Sequence, residues 1–183
     1  NTLKVSSLPT IFLSLSSLFF YSWWNILYLP LILFSVIINF VLGQLLIQSN
    51  LSKKVLLILG VLFNLLLLGY FKYSDFLILN FNLALDLNYS LLNLTLPLAI
   101  SFFTFQQIAY LADSYNGYVK PHKFLNYIVF VTFFPQLIAG PIVHHKEMMP
   151  QFFKKQNKIL NFKNIYLGLF IFSIGLFKKV VIA

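Results

Sequence analysis

Apolar residues run through this chain in long blocks, and polar residues collect in short clusters between them. Leu8–Leu29 is the first block, with Pro9 near its start, where a helix tolerates proline, and Tyr21, Trp23, Trp24 and Tyr28 gathered at its far end like an interfacial aromatic belt. Pro30 marks a tight turn, and Leu31–Ile47 forms a second block carrying Asn39 and Gly43, which suit close helix packing. A polar loop with Lys53 and Lys54 precedes a third span, Val55–Phe71, expected to exit at Lys72 and Asp75. Phe76–Asn93 is apolar but spaced by Asn80, Asn82, Asp86 and Asn88, which predicts an interfacial or short helical segment rather than a full crossing. Leu94–Ala112 is the next span, and its Ser101, Thr104, Gln106 and Gln107, with Asp113 just beyond, are expected to face protein and bond between helices. Phe124–Val143 follows, and Asn164–Phe177, short for a crossing, ends the pattern.

The stretch FFPQLIAGPIVHHKEMMPQFF, Phe133–Phe153, breaks the rhythm. Pro135 and Pro141 each remove a backbone donor and obstruct the preceding turn. Broken backbone at membrane depth is tolerated only where protein or a water-filled cavity surrounds it. Lysine placement bears on this segment, because lysines concentrate on the cytoplasmic side of membrane proteins. Alternating spans put Lys4, Lys53, Lys54, Lys120 and Lys123 on one face. A full crossing by Phe124–Val143 would then send Lys146, Lys154, Lys155, Lys158 and Lys163 to the other face. A segment that dips in and returns keeps them together. The expected fold is therefore all-α: a multi-span helical bundle in a membrane, with a broken or re-entrant element near Pro135–Pro141.

Composition agrees. Hydrophobic residues make up 60% of the 183 and charged residues 9%, against roughly 25% charged in soluble domains. From Val5 to Ser52 there is no charge at all, about 70 Å of helix against a bilayer core of about 30 Å. The net charge of +9 comes entirely from lysine and reads as topology rather than as nucleic-acid binding. Cysteine is absent, which excludes disulfides, thiolate metal sites and a cysteine nucleophile within these residues. The chain opens at Asn1 and closes at Ala183 inside an apolar pattern, so residues 1–183 are expected to be part of one membrane-embedded domain, cut at both ends.

Candidate chemistry is sparse: Asp75, Asp86, Asp113, Glu147 and three histidines. No phosphate loop, zinc-protease or serine-hydrolase motif is present, and no metal site is expected. His144 and His145 stand beside the broken segment. Adjacent residues point about 100° apart on a helix, so the two are poorly placed to ligate one metal. Either can act as a general base; the plainer reading is that they cap the broken element and line a vestibule. Glu147 can orient His144 or pair with a surface lysine, and His122, between Pro121 and Lys123, reads as a loop residue. The basic run from Lys146 to Lys163 suits acidic lipid headgroups or a nucleotide-bearing donor.

The strings PLAISFFTFQQIAYLADSYNG (Pro97–Gly117), FFPQLIAGPIVHHKEMMPQF (Phe133–Phe152) and GLFKKVVIA (Gly175–Ala183), together with SLFFYSWWN ending at Asn25 and LLGYFKYSDF (Leu67–Phe76), resemble the bacterial membrane-bound O-acyltransferases. The branch they are most similar to acetylates alginate or peptidoglycan. The resemblance implies a multi-pass protein of the bacterial inner membrane. It would take an acetyl group from a cytoplasmic thioester, acetyl-CoA or an acyl carrier, and pass it toward hydroxyls of an exported polysaccharide, with a periplasmic acetyltransferase as partner. No cofactor is expected to be tightly bound. The family's catalytic histidine and its WRRWH-like string lie downstream of the matching region, so no catalytic residue is assigned here and these residues alone are expected to be inactive. By resemblance, Gln136, Gly140, Pro141, His144 and His145 line the funnel or donor mouth. Two other classes stay open: a transporter or channel subunit, which should show an internal repeat that is not apparent here, and a non-catalytic scaffold for a periplasmic transferase.

Overall fold

In the computed structural model of the chain, residues 8–49, 52–137, 140, 143–153 and 159–182 are described. Eight α-helices account for most of them: α1 (Leu8–Trp24), α2 (Leu29–Gln48), α3 (Lys53–Leu85), α4 (Ile100–Tyr115), α5 (Phe124–Thr132), α6 (Phe134–Leu137), α7 (His145–Phe153) and α8 (Phe162–Phe177). No strand occurs among the described residues. This is an all-α membrane protein, with three helical stretches among the described residues long and apolar enough to cross a bilayer: Ile26–Gln48, Lys53–Leu85 and Phe162–Ile182. The chain divides into two units, residues 1–149 and 150–183.

In the first unit, α2 packs on α3 and α4, and α1 packs on α5. The sequence supplies narrow buried stripes at helical spacing: Ser14, Ser17 and Tyr21 on α1; Ser35, Asn39, Gly43 and Leu46 on α2; Leu56, Gly60, Asn64 and Leu68 on α3. Small residues let the backbones approach, and Ser35, Asn39 and Asn64 bond across the interface, whereas the Ser14 hydroxyl bonds the Thr10 carbonyl within α1. Asn39 and Asn64 exchange amide bonds at 3.2 and 2.6 Å, and the Ser35 hydroxyl donates to Gln107 at 3.1 Å. Each of the four is fully buried. At Gly43 an added Cβ would land on the Tyr110 phenol, so glycine is what admits that ring.

Two sequence expectations change. The third span does not end at Phe71; α3 runs unbroken for 33 residues, about 50 Å. No proline lies between Lys53 and Leu85, and the polar side chains that suggested an exit decorate the outside of the helix instead. Asp75 accepts from the backbone N–H groups of Leu92 (2.8 Å) and Asn93 (3.1 Å). Asn82 clamps Tyr89 at both its N–H (3.0 Å) and its carbonyl (2.8 Å). The helix stops at Asp86, which adopts a left-handed conformation (φ 52°), and the chain returns extended along the end of α3. For the same reason α4 begins at Ile100, after Pro97 and a left-handed Ala99 (φ 55°), rather than at Leu94.

The expectation for Phe124–Val143 holds. Its first helix, α5, has nine residues, about 13 Å and too short to cross. Its start lies beside the end of α2, where the Gln44 amide donates to the His122 carbonyl at 3.2 Å. Past the break at Phe133, the ring of Phe134 stacks on Phe20 of α1, with centroids 5.3 Å apart. By His145 the chain is back where it entered, for the rings of His122 and His145 are 4.4 Å apart. The segment dips in and returns. It re-emerges on the face that carries Lys53, Lys54, Lys120 and Lys123, opposite the turn at Asn25–Tyr28, where the Tyr28 hydroxyl bonds Thr95 (2.9 Å to its Oγ1).

In the second unit, Asn161 caps α8 by accepting from Lys163 N–H (3.0 Å) and Asn164 N–H (3.2 Å). A π-helical turn over Lys178–Ile182 extends it. The final apolar segment, short by pattern alone, thereby reaches 21 residues.

Candidate functional site

Helix ends at membrane depth must satisfy their last carbonyls without water. At the end of α5 the Phe133 N–H takes the Val129 carbonyl (3.0 Å), and the buried Gln106 amide of α4 donates to the Phe130 carbonyl (2.8 Å). Gln106, expected to bond between helices, thus closes the break itself. Pro135 sits in the first turn of α6, where its missing N–H costs nothing. The Gly140 N–H then donates to the Gln136 carbonyl at 2.9 Å. A Cβ at Gly140 would stand 2.7 Å from the Gln136 Cα and 2.8 Å from its carbonyl oxygen, so only glycine fits this turn. Gln136 and Gly140 therefore belong to one turn; Pro141 lies outside the described residues.

The adjacent histidines diverge. His144 precedes α7 and is half open, and its Nδ1 lies 2.9 Å from Oδ2 of Asp113, a carboxylate 8% exposed near the end of α4. The sequence offered Glu147 as the partner of His144. Asp113 holds the ring instead, while the Glu147 N–H donates to the His144 carbonyl (3.0 Å) at the start of α7. His145 turns inward and is buried against Tyr110 of α4, Phe130 of α5 and His122, with ring centroids at 5.7, 5.1 and 4.4 Å. His122 is in a loop, as expected, but its ring packs among Phe40, Tyr110 and Tyr127.

Electrostatics separate the rings further. The His122 Nδ1 lies 2.9 Å from the Lys120 carbonyl, which fixes the proton on that nitrogen. Burial lowers the His122 pKa from its ordinary value, the Lys120 bond opposing this in part. Burial lowers His145 to about 4, and neighbouring His122 adds to the effect. Both are neutral at pH 7. The Nε2 atoms of both rings and the hydroxyls of Tyr110 and Tyr127 are buried with no hydrogen-bond partner among the described residues.

The arrangement offers one imidazole oriented by a buried carboxylate and open to solvent, the requirement for acid–base work, beside a second held neutral in an aromatic box. Two members escaped the sequence reading as site residues. Asp113 carried a signal as an acidic residue closing an apolar span, whereas His122 carried none. No group of three or more metal-ligating side chains comes together among the described residues.

Residues 117–183 match the family model of the membrane-bound O-acyltransferases. The chain is 52% identical, over 96% of its length, to a peptidoglycan O-acetyltransferase of Helicobacter pylori, covering 38% of that protein. It is 33% identical over 93% of its length to a probable alginate O-acetylase of Pseudomonas aeruginosa, and 32% identical to that of Pseudomonas syringae, covering 34% of each. The chain thus spans little more than a third of the length of these relatives. No solved structure matches it. The family match overlies the re-entrant turn and both histidines, and the similarity to these O-acetyltransferases runs through α1 to α8.

Proposed function

We propose that, within a protein of its relatives' length, this chain forms part of an O-acetyltransferase of the bacterial inner membrane. The enzyme moves an acetyl group from a cytoplasmic thioester, acetyl-CoA or an acyl carrier, toward hydroxyls of an exported polysaccharide. Peptidoglycan is favoured over an alginate-like polymer as acceptor. The observation that carries this reading is the 52% identity to a peptidoglycan O-acetyltransferase, against 33% to an alginate O-acetylase. The geometry fits it: the re-entrant segment opens on the lysine-bearing face, whose lysines support a cytoplasmic orientation, and Lys120 and Lys123 are exposed there to meet an anionic donor. An extracytoplasmic acetyltransferase is the proposed partner on the opposite face.

The test is to delete the gene in its own bacterium, restore it on a plasmid, and measure the acetate that mild alkali releases from purified peptidoglycan. Loss on deletion and recovery on restoration are expected. Unchanged acetate on peptidoglycan, with loss from a secreted polysaccharide, would move the acceptor to the alginate-like class; no change in either would refute the function.

A further inference from the structure

Asp113 and His144 meet where the re-entrant segment comes back to the lysine-bearing face. Asp113 lies near the end of α4, and the loop that follows folds over it, with the Tyr118 N–H donating to the Asp113 carbonyl at 2.9 Å. Its carboxylate is buried and accepts at one oxygen from His144. Half of the His144 side chain is open to solvent, and with Nδ1 engaged, Nε2 is the nitrogen left to exchange protons. A carboxylate held out of water that grips one imidazole nitrogen fixes the ring's orientation and stabilises its cation. A surface cap needs neither the burial of Asp113 nor the openness of His144. Exposed Lys120 and Lys123 stand on the same loop.

We infer that Asp113 and His144 form an acid dyad that protonates the sulfur of the acyl donor as it leaves, with His144 as the proton donor and Asp113 as the positioning residue. This rests on the thioester donor proposed above. As the acceptor hydroxyl oxygen bonds to the acetyl carbon, the carbon–sulfur bond breaks and its electron pair leaves on sulfur. The thiolate takes the proton from Nε2 of His144 and departs as a thiol. The neutral imidazole keeps Nδ1–H on Asp113 and regains its Nε2 proton from water on the open face. The acceptor's hydroxyl proton passes to solvent, so one thioester and one alcohol become one ester and one thiol.

The leaving group supplies the test. An alkyl thiolate such as that of coenzyme A is basic and needs a proton to leave well, whereas an aryl thiolate is a good leaving group unprotonated. Full-length protein in nanodiscs, together with its extracytoplasmic acetyltransferase partner, would be given acetyl-CoA or an S-acetyl arylthiol, with soluble muropeptides as acceptor, and thiol release followed. H144Q is expected to slow release from acetyl-CoA on the order of 100-fold, and D113N on the order of 10-fold, while both release the arylthiol at close to the native rate. Each comparison is made within one protein sample, so partial misfolding lowers both rates alike and leaves their ratio intact. An H144Q protein that uses acetyl-CoA at the native rate, or that loses both donors in equal proportion, would overturn the dyad. Native protein that releases thiol from neither donor would instead overturn the function proposed above.

Discussion

Replacing His145 by phenylalanine should remove most of the acid sensitivity that its position gives the re-entrant segment. The imidazole is buried at the start of α7 against His122, Tyr110 and Phe130, with Tyr127 stacked on His122 behind it. Its pKa falls from 6.5 to about 4, first through burial and then through His122. In the closed segment the ring therefore binds a proton only near pH 4, whereas in an opened segment it binds one from 6.5 downward. Closure is fully stable above 6.5, weakens as the pH falls through the interval, and loses nothing further below about 4. At about pH 4.5 this loss is about 2.5 kcal/mol, or roughly 70-fold in the opening equilibrium. His122, also lowered by burial, acts in the same direction. The other charged or titratable groups on this face among the described side chains are Asp113, His144, Glu147, Lys53, Lys54, Lys120 and Lys123. The assay is hydrogen exchange at the α5 amides, Phe124–Thr132, corrected for the intrinsic effect of pH. Native protein should lose protection between neutral pH and about pH 4.5, by approximately that factor. H145F keeps the aromatic contact and removes an unpaired buried nitrogen, so it should be protected at neutral pH and lose far less in acid. An acid response of the same size in H145F would refute the reasoning.

Three further outcomes follow from the packing. G43A puts a methyl group where the Tyr110 phenol lies, and should cost about 1–3 kcal/mol by thermal unfolding in detergent, whereas G69A, which meets nothing, should be close to neutral. N39L leaves Asn64 without its reciprocal amide and should destabilise by about 1–2 kcal/mol, with N39L/N64L recovering much of the loss; additive effects in that double-mutant cycle would mean the pair is not coupled. D75N can no longer present two carboxylate oxygens to the Leu92 and Asn93 N–H groups, so limited proteolysis should cut faster between Leu87 and Leu96, and an unchanged rate would show that the clamp holds nothing.

The parts of this fold that could be read along the chain were those encoded by punctuation. Two prolines and a glycine within seven residues, set against the placement of lysine, sufficed for the re-entrant segment, because each has a local physical effect. Asn39 and Gly43 were legible as packing residues, though not that Asn39 would face Asn64. The length of α3 was not legible. Lys72 and Asp75 look the same in sequence whether they end a helix or decorate one, and only the returning chain, 17 residues beyond Asp75, shows that the carboxylate grips backbone. The Asp113–His144 pair, 31 residues apart, was hidden in the same way. Glu147, three residues from His144, was the partner that sequence distance suggested and folding passed over.

The division of labour between His144 and His145 follows from where α7 begins. His145 is the first helical residue and His144 the last before it. Had both been helical, their side chains would stand about 100° apart on one cylinder and share an environment at its edge. With the helix start between them, the directions part. One ring reaches back to the end of α4 and stays half exposed, while the other turns inward and is almost wholly buried. Two identical side chains thus receive opposite surroundings: a carboxylate and water for the first, aromatic rings and a neutral imidazole for the second. The first can exchange protons, whereas the second holds the segment shut only while it does not. The His-His step at a helix start provides both surroundings at one point of the chain with no further element.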